Sequence, residues 1–163
     1  MATGYVALAL LGLTLLLGPL NLLRRRPNPV STDLRRDIGL WTAAVGLLHV
    51  VVGLQVHFRG APWFYFLPEP GAARFALLRL DPFGLANYLG LAAALILVLL
   101  AALSNDLALR ALGTKRWKAV QRLNYGLLAA VIVHTVIYQV IEQRALPFML
   151  AGGAVALVVV AVQ

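Results

Sequence analysis

The sequence contains no cysteine. Disulfides, iron–sulfur clusters, thiolate-ligated heme and covalent c-type heme attachment are therefore excluded. A metal bound by this chain must be held by His, a carboxylate, Met or Tyr. Acidic residues are scarce, six against 14 Lys and Arg. Charged residues make up 12% of the chain, about half the share typical of a soluble domain. Enzyme signatures are missing too. There is no glycine-rich phosphate loop, no H-E-x-x-H, no pair of carboxylates inside an apolar run and no Ser/His/Asp set on plausible faces. The N-terminus has no basic n-region and no small-residue cleavage site, so its first apolar run is expected to stay in the membrane.

What the chain has is apolar residues, at 61% of the total and a mean hydropathy of +0.86. A soluble core of this length could not hide that much. Five continuous runs, near 4–23, 38–58, 85–104, 123–142 and 146–162, approach the 20 or so residues that cross a bilayer. They do not alternate, so helices are expected rather than strands. The last run is the shortest; Pro147 suits the first turn of a helix. The expected fold is an all-α integral membrane bundle of about five transmembrane helices, with residues 1–163 forming one domain.

The net charge of +8 is concentrated between the runs. Arg24, Arg25, Arg26, Arg35 and Arg36 lie between the first and second runs. Arg110, Lys115, Arg116, Lys118 and Arg122 lie between the third and fourth. The positive-inside rule accounts for these clusters and for lipid headgroups as partners; nothing in the pattern asks for nucleic acid. The bias predicts a plasma-membrane protein with its N-terminus outside and both basic segments in the cytoplasm. Arg36 and Arg122, at cytoplasmic helix ends, are candidates for a heme propionate or a flavin phosphate, with lipid phosphate as the default partner. Opposite them, 59–84 is the longest connection. Trp63, Phe64, Tyr65 and Phe66 read as an interfacial aromatic belt, and Ala72–Leu80 as a short surface helix.

Two histidines stand inside the spans. His49 is eleven residues past Ile38, and His134 is eleven past Leu123. At the helical rise, each lies about 16 Å in, near the midplane. An imidazole at that depth is costly and needs a partner or a task. A lone one is more often a hydrogen-bonded packing residue than a ligand. Two at one level could supply both axial bonds to a b-type heme, and on spacing alone the two readings stand level. His57, eight residues after His49, would follow on the same helix about 12 Å higher, at the rim, where it most simply faces headgroups.

Two stretches carry a resemblance. The run GPLNLLRRRPNPVSTDLRRDIGLWTAAVGLLHVVVGLQVH and the block LSNDLALRALGTKRWKAVQRLNYGLLAAVIVHTVIY resemble the ferric-reductase-like transmembrane domain. Within that family the form is similar to the heme-binding membrane subunit of the bacterial methionine sulfoxide reductase, with one span fewer. The resemblance implies a heme-binding bundle with His49 and His134 as iron ligands. The family commonly holds two hemes. Gln121 stands here where its pattern has the second block's earlier histidine, so the resemblance implies one heme b, with Gln121 on its cytoplasmic side. It further implies electron transfer from a flavin or quinol donor to an extracytoplasmic acceptor. FMN or quinone are then further cofactors, and a periplasmic or cytoplasmic redox protein is the partner. The alternative is a heme-free membrane scaffold or assembly partner that retains the fold.

Overall fold

In the computed structural model, residues 2–23, 30–69, 71, 77–143 and 146–162 are described. They form six α-helices: α1 (Ala2–Leu23), α2 (Val30–Gly53), α3 (Pro82–Ala102), α4 (Asp106–Gln121), α5 (Leu123–Ile141) and α6 (Leu146–Val162). A single 3-10 turn, Pro62–Tyr65, interrupts the long connection. Strands are absent among the described residues.

Helices α1 and α2 form one closely packed pair and α3 and α5 another; α6 packs on α1 and α5. The first pair is antiparallel, since Gly4 meets His49, Gly39 meets Thr14 and Gly18 meets Arg35. Leu8, Leu11 and Leu15 repeat at i, i+3, i+7 and bury one stripe of α1. Ala93, Leu100, Leu127, Leu128 and Val159 meet that stripe from α3, α5 and α6. The outward faces are equally apolar: Leu48, Val51, Leu95 and Val136 are all at least half exposed. A soluble protein does not leave such continuous faces to water, whereas lipid accepts them.

Four stretches are long and apolar enough to cross a membrane: Ala2–Asn21, Asp33–Gly53, Pro82–Ala102 and Asp106–Ile141. The last joins α4 and α5, because Arg122 between them keeps a right-handed helical backbone. α6, at 17 residues, spans about 25 Å, just short of the ~30 Å hydrocarbon core. The chain is a multi-pass membrane protein.

Three local expectations need correction. α2 starts at Val30 rather than Ile38, so Arg35 and Arg36 ride on a helix instead of a loop; Asp33 in its first turn suits the positive helix end. α2 also stops at Gly53, five residues before 58. Beyond it the backbone closes into tight turns, with Gln55 N–H donating to the Val52 carbonyl and Val56 N–H to that of Gly53. The segment expected to be a basic loop between spans is the helix α4. Its start is fixed by the Asn105 side-chain oxygen, which accepts the Ala108 N–H at 2.8 Å. Of the expected surface helix at 72–80, residues 72–76 lie outside the described residues, and Leu77–Leu80 are not helical.

The connection after α2 folds over one end of the bundle. The Arg79 guanidinium lies 4.6 Å from the Phe83 ring centre and 5.6 Å from that of Phe58. It also donates to Asp81 and to the Phe64 carbonyl. Asp81 caps α3 by accepting the Gly84 N–H at 2.7 Å. Of the four aromatics expected in a belt, Trp63 is exposed while Tyr65 is buried. The Tyr65 hydroxyl donates to the Gly53 carbonyl at 2.8 Å and accepts the His57 N–H at 3.0 Å.

Candidate functional site: a two-histidine cavity

A cavity of about 280 Å³ lies between α1, α2, α3 and α5 and under Tyr65 and Phe66. Packed interiors rarely leave voids larger than a water, and one water needs only about 10–15 Å³. The walls are mainly aliphatic and glycine, among them Leu8, Leu11, Gly46, Val50, Gly90, Leu97 and Val131. Both intramembrane histidines, His49 and His134, line it.

The His134 Nδ1 is 2.7 Å from the Ala86 carbonyl oxygen. A carbonyl only accepts, so Nδ1 carries the proton, and in the neutral ring Nε2 keeps a free lone pair. The His49 Nδ1 is 3.2 Å from Thr3 Oγ1. With Nδ1 donating there, its Nε2 is free as well. Holding one ring nitrogen by an outer partner is how metal-binding histidines are oriented.

Each ring also rests on a glycine. A Cβ at Gly4 would come 3.0 Å from His49 Cε1, and one at Gly90 would come 2.9 Å from His134 Cε1. Only a residue without a side chain lets these helices approach so closely. The Tyr138 ring stands 4.9 Å from the His134 ring. Its hydroxyl donates to Asn87 Oδ1 at 2.7 Å, and Asn87 donates in turn to the Phe83 carbonyl. Gln139, also buried, donates to the Tyr5 hydroxyl at 3.1 Å. These buried polar side chains are thus bonded to one another or to backbone.

The two histidines differ in place along their helices. His49 is four residues before the end of α2, whereas His134 is near the middle of α5, eleven residues past Leu123 as expected. The cavity runs from Leu97 and Leu127 up to His57 and Tyr65. The difference at His49 comes from the bounds of α2, which begins at Val30 and ends at Gly53 rather than 58. For the same reason His57 does not follow His49 along a helix face. Its ring reaches the cavity rim from a turn, with Nε2 3.1 Å from Glu142 Oε1.

Three other candidates are not among the cavity residues. Arg36 pairs with Asp106 at 3.2 Å, tying α2 to α4 on the exposed surface. Arg122 occupies the joint between α4 and α5. The Gln121 side-chain amide nitrogen is buried and has no hydrogen-bond partner among the described residues. Sequence reasoning passed over Thr3, Gly4, Tyr5, Ala86 and Tyr138. It made nothing of Asn87, Thr135 and Gln139 either, although all three line the cavity. Buried amides and hydroxyls at such depth are a readable signal of a site.

Chemically, the arrangement offers two imidazole nitrogen donors beside an apolar slot. Among the described residues, no group of three or more His, Asp or Glu could hold a bare metal ion. A b-type heme would ask for two imidazole ligands and apolar walls, and the residues present fit it, with His49 and His134 as those that would hold it. Trp117 and Gly113, part of the second resemblance block, have structural tasks: the indole donates to the Leu103 carbonyl at 2.8 Å, and Gly113 turns α4 with φ 73°. Residues 3–132 match the family described as ferric reductase like transmembrane component. The match includes His49 and ends two residues before His134.

Proposed function

Because the chain belongs to the ferric-reductase-like transmembrane family, whose members point to membrane electron transfer, we propose that it is a b-type cytochrome subunit binding one heme between His49 and His134. The observation that carries this reading is the convergence of both imidazoles on one apolar cavity, with the Nδ1 of His134 committed to the Ala86 carbonyl and that of His49 paired with Thr3. Bound there, a heme supplies a one-electron couple; the protein supplies position, ligand orientation and exclusion of water. The aliphatic walls limit solvent access. Gly4 and Gly90 give the rings room, and the connection 58–66 covers the cavity from above.

Orientation follows the charge bias, with α4 and the start of α2 in the cytoplasm and the cavity toward the outside. The donor is a flavin or a quinol and the acceptor lies beyond the membrane; a redox protein is the expected partner on either face. The unpartnered Gln121 amide, on the cytoplasmic side, is no iron ligand, which keeps the count at one heme.

The test is a dithionite-reduced minus oxidised spectrum of detergent-purified protein made with ample heme, with heme counted per chain. One heme with split b-type bands is expected. His49→Ala and His134→Ala should each abolish the bands, while His57→Ala keeps them. A stable, colourless wild type would overturn the reading in favour of a heme-free scaffold.

A further inference from the structure

At the cavity rim lies a pair that heme ligation does not use. The His57 Nε2 is 3.1 Å from Glu142 Oε1, and the two side chains are 33% and 25% exposed. Both reach the surface, yet each is largely withdrawn from it. His57 is fixed on three sides. Its backbone N–H is held by the Tyr65 hydroxyl, its ring meets Phe83 edge-on at 5.4 Å, and Tyr65 stands tilted at 6.2 Å. Among the described residues, the titratable and charged groups on the neighbouring elements include three tyrosines and Arg79. Tyr65 comes from the 3-10 turn, Tyr138 from α5 one turn before Glu142, and Tyr5 from the α1 wall of the cavity. Arg79 stacks on Phe83, with its charge met by Asp81 and Glu69. Among these, His57 with Glu142 is the pair that sets an imidazole against a carboxylate at the cavity rim.

An electron placed in an apolar cavity is a charge without solvent to balance it, and a proton bound nearby offsets it. We propose that His57 and Glu142 form a proton-binding pair that takes up one proton from the outer aqueous side when the cavity's one-electron cofactor is reduced, and returns it on reoxidation. The inference rests on the heme reading above. The electron comes from a donor of the flavin hydroquinone or quinol class. The proton comes from water and is held between the imidazole and the carboxylate, with no bond to the reacting centre. Linkage fixes the sign: reduction raises the proton affinity of the pair, so acid favours reduction. Within the coupled window the reduction equilibrium falls by up to about tenfold per pH unit.

The experiment is a spectroelectrochemical titration of heme-loaded protein across the pH range in which histidine titrates, on wild type, Glu142→Gln, His57→Gln and the double variant. Wild type should shift severalfold per pH unit. The variants should lose most of that slope while heme content and absorption bands stay at wild-type level. Should His57→Gln fail to fold, Glu142→Gln carries the test alone. A pH-independent wild type overturns the proposal, as does a full slope in the variants, which would assign the proton to the cofactor's own carboxylates. Heme content in the same samples separates the two readings. Absence of heme sinks the bis-histidine site and this inference with it, whereas full heme with a flat profile sinks only the proton pair.

Discussion

His134 shows how a single residue becomes legible, and where legibility stops. An imidazole inside LLAAVIVHTVIY stands out because hydrocarbon tolerates it only with a partner. Its partners did not stand out. The Ala86 carbonyl and the gap at Gly90 lie over 40 positions away, and only the α3–α5 packing brings them to the ring. The same holds for Thr3 and Gly4 beneath His49. Gly90→Val is expected to push the His134 ring off its position, at an overpacking cost of about 1–3 kcal/mol. Heme content per chain should fall while helical circular dichroism persists. Thr3→Val removes the outer hydrogen bond of His49, and heme affinity should drop about 10-fold, with Thr3→Ser close to wild type in the same heme titration.

Helix α4 is the element the composition concealed. Its cations read as a solvated segment, and within Asp106–Gln121 it buries no residue. Its helicity shows instead in the Asn105 cap and in Trp117, whose indole returns to the Leu103 carbonyl just past the end of α3. Gly113, at φ 73° and ψ 156°, bends it in a backbone region that only glycine occupies readily. Gly113→Ala should therefore destabilise the protein by about 1–3 kcal/mol, measured by denaturant unfolding in detergent, with little change in the heme spectrum of the folded fraction. The end of α2 was misread for a related reason. Hydropathy continues through Leu54 and Val56, but the backbone turns at Gly53, where the Tyr65 hydroxyl captures the carbonyl. Side-chain character does not report such a stop.

At the scale of the molecule, the all-α membrane class and the run 146–162 were readable from continuous hydropathy, while the packing order was not. Nothing in the chain announces that α1 lies on α2 and α3 on α5, with a cavity between the pairs. The absence of cysteine makes the orientation directly testable. In intact cells, a single cysteine replacing Arg59 should react with a membrane-impermeant maleimide, and one replacing Lys115 should react only after the membrane is opened. The reverse pattern would invert the topology. Tyr65 joins the cover of the cavity to the terminal turn of the helix that bears His49. Unlatching the cover and unwinding that turn are consequently one event. Amide hydrogen exchange from Leu54 to His57 then serves as a clock for how often the chamber opens.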